Sequence, residues 1–212
     1  NNAKIMDDAI ADDTPVSPRG KIIYLVALVL GIGIPVGIIY LLELTKFKIE
    51  GRADVEKLTS LPVVGDIPLA DEKTGSIAVF ENQNNLMSET FRNVRTNLQF
   101  MLENGKNVIL VTSTISGEGK SFISANLAIS LSLLGKKVVI VGLDIRKPGL
   151  NKVFNIPKKK HGITQYLTNT TANLMDFVQP SDINKNLFIL PGGTVPPNPT
   201  ELLARGGLEK AI

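Results

Sequence analysis

Lys120 and Ser121 follow two glycines, Gly117 and Gly119, in the run Thr114-Ile115-Ser116-Gly117-Glu118-Gly119-Lys120-Ser121. Those residue types at that spacing bind phosphate. Glycines let backbone N–H groups converge on one anion, a lysine beside them reaches the β/γ-phosphates, and the hydroxyl that follows ligates Mg2+. The run fits G-x-x-x-x-G-K-[ST] except at its first position, where Thr114 stands for glycine. The expected nucleotide contacts are Ser116, Gly117, Glu118, Gly119, Lys120, Ser121 and Phe122, with Lys120 as the catalytic cation and Ser121 as a metal ligand. A Gly-Glu-Gly turn joining a strand to a helix would look similar, so the flanking elements must carry the reading.

Those elements are legible. Residues 107–112 hold the apolar β-branched run Val108-Ile109-Leu110-Val111, which predicts a strand leading into the loop. Beyond the loop, Phe122, Ala125, Leu127, Ala128, Leu131 and Leu134 fall mostly on one helical face, and Gly135 stops the helix. Val138-Val139-Ile140-Val141 then predicts a second strand, so the loop sits at the carboxyl end of the first strand of a βαβ unit, where open α/β sheets bind ligands. Just past the second strand lies Asp144. An acid there can meet Mg2+ or its water shell, or take a proton from a substrate hydroxyl; the plainer alternative is an Asx-type turn. Upstream, residues 88–101 predict a helix that buries Phe91, Val94, Leu98 and Met101 and exposes Glu89, Arg92 and Arg95 on one face.

The chain has 212 residues, no cysteine, a net charge of +3 and 5% aromatic residues. That excludes a disulfide scaffold and thiolate metal ligation, and offers no stacking platform for single-stranded nucleic acid; no nucleic-acid partner is expected. Residues 22–42 carry no charge and are long enough to cross a bilayer as a helix, with Tyr24 and Tyr40 near the two ends. About twenty polar residues precede this run and no small-residue cleavage site follows it, which argues against a signal peptide. Gly31, Gly33, Gly37 and Pro35 are expected to kink the span or admit another helix. Four domains follow: residues 1–21, the end of an extracytoplasmic region with a Pro-rich lead-in at 14–18; the span 22–42; a juxtamembrane connector 43–85; and a cytoplasmic nucleotide-binding part, 86–212. Lys46, Lys48, Arg52 and Lys57 follow the span and are placed to meet anionic membrane lipid. His161, the single histidine, sits beside Lys158, Lys159 and Lys160 and reads as part of a solvated basic loop. With no initiator methionine and an end at Ile212 within a predicted helix, the sequence reads as part of a longer chain.

The span, the connector ending LPVVGDIP, Glu89-x-x-Arg92-x-x-Arg95, TSTISGEGKS, GLDIRKP and LFILPGGTVPPNPTELL occur in the order found in bacterial tyrosine kinases of capsule and exopolysaccharide production. The chain resembles that family over nearly its whole length. The resemblance implies an α/β fold of the P-loop NTPase type, related to MinD and ParA, with a mostly parallel sheet behind one transmembrane helix. It implies a protein-tyrosine kinase that uses ATP and Mg2+, anchored in the inner membrane with its kinase part in the cytoplasm. It further implies ring-like self-association through Glu89, Arg92 and Arg95 with phosphorylation in trans, and work with polysaccharide polymerase or export machinery and a cognate phosphatase. Asp144 matches the second acid of the family's D-x-D-x-R motif. Three departures stand beside the match. The first acid's position is Gly142, a later acidic motif ending in D-x-x-P does not occur, and Tyr166 is the one tyrosine outside the span. They keep open a catalytically weak, nucleotide-dependent chain-length regulator. A membrane-tethered ATPase of the MinD/ParA kind is a further alternative, although Ile115 stands where that branch has its signature lysine.

Overall fold

The computed structural model describes residues 19–45, 49, 51–71, 74–102, 107–156, 161–169, 171–204 and 207–211. The expected lead-in at 14–18, Lys46, Lys48 and Lys158–Lys160 lie outside the described residues. Two compact units divide the chain after Thr59.

In the first unit, α1 (Gly20–Thr45) runs uninterrupted through Pro35. With a mean hydropathy of 2.7 over an 18-residue stretch it is long and apolar enough to cross a membrane. A short α2 (Arg52–Leu58) follows, carrying an exposed Arg52–Glu56 pair at 2.7 Å.

The second unit positions the site. Its α3 (Leu86–Met101) is capped by Asn85, whose side chain accepts the Ser88 N–H at 2.7 Å. Met87, Phe91 and Val94 recur at i, i+4 and i+7 and are buried, with Leu98 packed beside them. Met101, expected in the core, is exposed because the helix ends there and the packed stripe stops at Leu98. Next comes α4 (Lys120–Ser132), buried continuously from Ala125 to Ser130. The sequence led us to expect one apolar face, but α4 packs on α3 and on the sheet at once, so nearly its whole circumference is covered. Leu134, assigned to that face, lies beyond the helix end and is exposed. Gly135 ends the helix region at φ 79°, a left-handed conformation that suits glycine.

Among the described residues three strands form the sheet, in the order β1-β3-β2. β1 (Val138–Val141) runs parallel to β3 (Leu187–Leu190) in the register Val138↔Leu187, and β2 (Gln179–Pro180) runs antiparallel to β3. α5 (Leu150–Val153), α6 (Ile163–Thr168), a 3-10 turn at Leu174–Phe177 and α7 (Pro199–Ala204) complete the unit. The predicted strand at 107–112 requires correction. That segment has no ladder partner among the described residues, and Val108 and Leu110 are 63% and 79% exposed. A β-branched run favours extended backbone, whereas pairing depends on a neighbour elsewhere in space. The βαβ unit is thus an extended segment, a helix and a paired strand.

The stretch read as the later part of a connector is packed. Val64, Ile67, Ala70 and Ile77 lie against the core, and Ala78 and Val79 are buried within it. Asn97 Nδ2 donates to the Val64 carbonyl at 2.8 Å, and a Cβ on Gly65 would come within 2.7 Å of Val94. Apolar side chains alternating with Pro and Gly at 61–68 let this strap follow the α3 surface, so the compact unit starts at Ser60 and not near residue 86.

Candidate nucleotide site

The loop from Thr114 to Gly119 turns twice through glycine. Gly117 has φ 100° and Gly119, the N-cap of α4, has φ 87°. A side chain at either position would strain the backbone. These reversals bring Lys120 and Ser121 into the first turn of α4, whose N-terminal amides favour an anion. The Ser124 hydroxyl donates to the Lys120 carbonyl at 2.7 Å and tightens that turn.

Asp144 is brought to the same place. Gly142 N–H donates to the Leu190 carbonyl at 2.9 Å, extending the β1–β3 ladder one step. Buried Ile145 then anchors the following loop in a second core with Ile163, Leu167, Leu190 and Leu202. Between these two fixed points Asp144 projects toward α4, and its Oδ2 lies 2.8 Å from Lys120 Nζ. Its Oδ1 accepts the Lys147 N–H at 3.1 Å, so the Asx-type turn and the lysine contact coexist. Burial alone would push the Asp144 carboxyl upward. The hydrogen bond from Lys120, those from the Lys147 and Arg146 backbone and the Lys120 charge together outweigh it and hold the carboxyl below its usual range.

Ser121 lies under the loop that follows Asp144, and a Cβ built on Gly149 would stand 2.9 Å from the Ser121 hydroxyl oxygen. Gly149 therefore leaves the room that the hydroxyl occupies. The Asp144 carboxylate and the Ser121 hydroxyl are oxygen ligands of the kind that Mg2+ takes together with phosphate and water, while the Lys120 ammonium, paired with Asp144, is suited to phosphate oxygens. No group of three or more His, Cys, Asp or Glu side chains able to hold a metal exists among the described residues.

The remaining sequence-derived residues divide. Ser116, Gly117, Glu118 and Gly119 are in the loop, but the Glu118 carboxylate bonds the loop's own amides, accepting from Thr114 N–H at 2.8 Å and Ile115 N–H at 3.1 Å. Phe122 turns its ring to Phe91, with centroids 5.9 Å apart in an edge-to-face pair, leaving only its backbone near the loop. Glu89 and Arg92 form an exposed pair at 2.5 Å. Arg95 does not share their face. Its Nη1 donates to the Ser130 carbonyl at 2.8 Å and to the Ser130 hydroxyl at 3.3 Å, and its Nε is buried. One residue on from Val94, it lies at the edge of the core stripe and is drawn to the α4 backbone. Burial, and then the neighbouring Arg92 charge, lower its pKa.

Sequence reasoning missed Asn126. Fully buried, its Oδ1 accepts from the Ala78 and Val79 N–H groups at 2.7 and 3.1 Å, while Nδ2 donates to the Ser76 and Phe122 carbonyls at 3.2 and 2.9 Å. A polar residue inside an otherwise apolar helix was the available signal. Gly142 also gains a steric meaning. A Cβ there would come within 3.0 Å of the Gly192 nitrogen and 3.3 Å of Leu150 Cδ1, so an acid at this position would require its neighbours to shift.

The profile of the ParA family, described as NUBPL iron-transfer P-loop NTPase, matches residues 104–184. A protein of the cps region of Klebsiella pneumoniae, named for a tyrosine-protein kinase, is 30% identical over 228 residues, covering 100% of this chain and 31% of its own. Tyrosine-protein kinase YwqD of Bacillus subtilis is 38% identical over 120 residues, covering 56% of this chain and 49% of its own. The chain thus spans less than half the length of either relative. Among solved structures, the chimerical protein CapA2B2 has a TM-score of 0.66 at 34% identity over 74% of this chain and 67% of that one. The kinase domain of Escherichia coli tyrosine kinase ETK has a TM-score of 0.66 at 26% identity, covering 77% and 67%. With its ParA-like P-loop fold and its glycine loop set against Asp144, the chain belongs to the family of bacterial tyrosine kinases.

Proposed function

We propose that the chain carries the nucleotide-binding core of a membrane-anchored protein-tyrosine kinase that phosphorylates its own kind and controls capsular or exopolysaccharide production. The observation that carries this reading is the contact between Lys120 Nζ and Asp144 Oδ2 at 2.8 Å, at the mouth of the glycine loop. Lys120 is held by a carboxylate whose place a phosphate oxygen can take, and the loop amides from Ser116 onward point no donor at a backbone acceptor among the described residues. Ser121 and Asp144 are the residues that would hold Mg2+, which when bound neutralises phosphate charge. Phosphoryl transfer needs little more than positioning and charge neutralisation, and Lys120, the loop amides and the α4 N-terminus supply both. ATP is the expected donor. α1 would lie in the inner membrane, with the second unit in the cytoplasm where ATP is plentiful. Glu89 and Arg92, exposed on α3, remain available for contacts with another copy in a ring; the polysaccharide machinery and a phosphatase are the further partners that the family suggests.

The test is phosphotyrosine formation in membranes carrying the chain, supplied with Mg-ATP. Lys120→Ala is expected to abolish it; undiminished phosphotyrosine in that variant would refute the assignment. One observation favours a second reading. At Gly142 the close approach of Gly192 leaves Asp144, among the described residues, as the one acid paired with Lys120, which suits a nucleotide-dependent assembly switch. Self-association that follows nucleotide while no phosphotyrosine forms would decide for the switch.

A further inference from the structure

We propose that the Glu118 side chain is a positioning residue of the loop. Its carboxylate clasps the N–H groups of Thr114 and Ile115, and so closes the phosphate cradle where the motif would otherwise rely on glycine at its first position. This rests on the nucleotide reading above.

The geometry is specific. A single oxygen, Oε2, accepts both amides, at 2.8 and 3.1 Å. The Ser113 hydroxyl donates to the Ile115 carbonyl at 3.0 Å and fastens the same turn from the other side. Gly117 and Gly119, both at positive φ, flank Glu118, so the backbone reverses on each side of it while the side chain reaches back to the loop entrance. Thr114 itself keeps an ordinary φ, since Asn155 alone among the described non-glycine residues has a positive one. The entrance is therefore closed without a left-handed first residue, and the carboxylate bridge is what ties it shut.

A carboxylate in a loop built for anions could instead be a competitor that fills the phosphate site. The choice of amides argues otherwise. Phosphate cradles use the donors that run into the helix N-terminus. Glu118 takes only the two at the entrance, and no acceptor among the described residues takes the amides from Ser116 to Ser121. The clasp orders the loop and leaves the cradle's own donors free. Ordering before binding lowers the entropy lost when nucleotide arrives, which favours affinity.

The experiment measures Mg-ADP and Mg-ATP affinity calorimetrically on the full chain in detergent micelles, for wild type, Glu118→Ala, Glu118→Gln and Lys120→Ala. Losing two charge-assisted bonds that order the loop should weaken binding about tenfold in Glu118→Ala. Glu118→Gln keeps an acceptor oxygen at the same reach and should stay within about threefold of wild type. Because the loop is exposed, both variants should melt with wild type, which separates loop ordering from general instability. Glu118→Ala that binds as tightly as wild type, or more tightly, overturns the clasp, as does Glu118→Gln falling as far as alanine. Those results refute the clasp alone, because wild type still binds and Lys120→Ala does not. Wild type without nucleotide affinity would refute both readings together.

Discussion

Replacing Asn126 by leucine should unfasten the strap at 76–79 from α4, the helix that begins with Lys120. The side chain is fully buried and makes four hydrogen bonds, two of them accepting the Ala78 and Val79 amides, which are themselves buried. Leucine has the same number of side-chain heavy atoms and the same branching, so no cavity is created, but it offers no acceptor. Each buried N–H left without a partner costs roughly 1–3 kcal/mol, and the two together, with some relief from water entry, about 3–4 kcal/mol. For a unit that runs from Ser60 to Ile212, each kcal/mol shifts the midpoint by about 2–4 °C, so the variant should melt about 6–16 °C lower. Far-UV circular dichroism of the chain in micelles gives the midpoint, and amide exchange by mass spectrometry reads the peptide containing Ala78 and Val79. In wild type those amides should be among the protected ones, and in Asn126→Leu they should exchange rapidly. A midpoint within about 2 °C of wild type, with protection of that peptide retained, would refute the argument that Asn126 joins strap and helix.

Other changes should act as locally. Gly149→Ala places a methyl group 2.9 Å from the Ser121 hydroxyl and should weaken the Mg2+ dependence of nucleotide binding, measured by titration with Mg2+, while the φ of −84° at residue 149 admits alanine without strain. Arg95→Ala removes two bonds to Ser130 and should destabilise the unit by about 1–2 kcal/mol in urea unfolding, whereas Arg92→Ala, losing an exposed pair, should change it by less than about 0.5 kcal/mol. If Glu89 and Arg92 serve assembly, Arg92→Ala should instead alter self-association in sedimentation. The lowered pKa of Asp144 means that its charged form stabilises the folded state above the ordinary value of 3.8 and that this contribution fades as pH falls below it. The melting difference between wild type and Asp144→Asn should therefore stay constant from about pH 5 to 8 and shrink in more acid solution.

What the sequence made legible was local. Two glycines, a lysine and a serine at fixed spacing specify the loop and the start of α4, and an acid three residues past a β-branched strand is close enough to meet that lysine. Partners 35 to 50 residues away were not legible. Asn126 and the backbone at 76–79, or Arg95 and Ser130, meet because helices pack, and periodicity reports a face without naming what lies against it. The same reason explains residues 107–112, whose composition predicts extension but contains nothing about a ladder partner. Gly142 reads in the sequence as an absent acid, and nothing in the sequence singles out Gly149. Their spatial meaning, a close approach of Gly192 and room for the Ser121 hydroxyl, emerges only when β1 and β3 are side by side.

The central claim is that Lys120, facing Asp144 at the glycine loop, serves an ATP-dependent tyrosine phosphorylation. Quantifying phosphotyrosine after addition of Mg-ATP to membranes carrying either the wild-type chain or Lys120→Ala tests it most directly. The account predicts phosphotyrosine in the wild type and none above background in Lys120→Ala. Equal phosphotyrosine in both would contradict it.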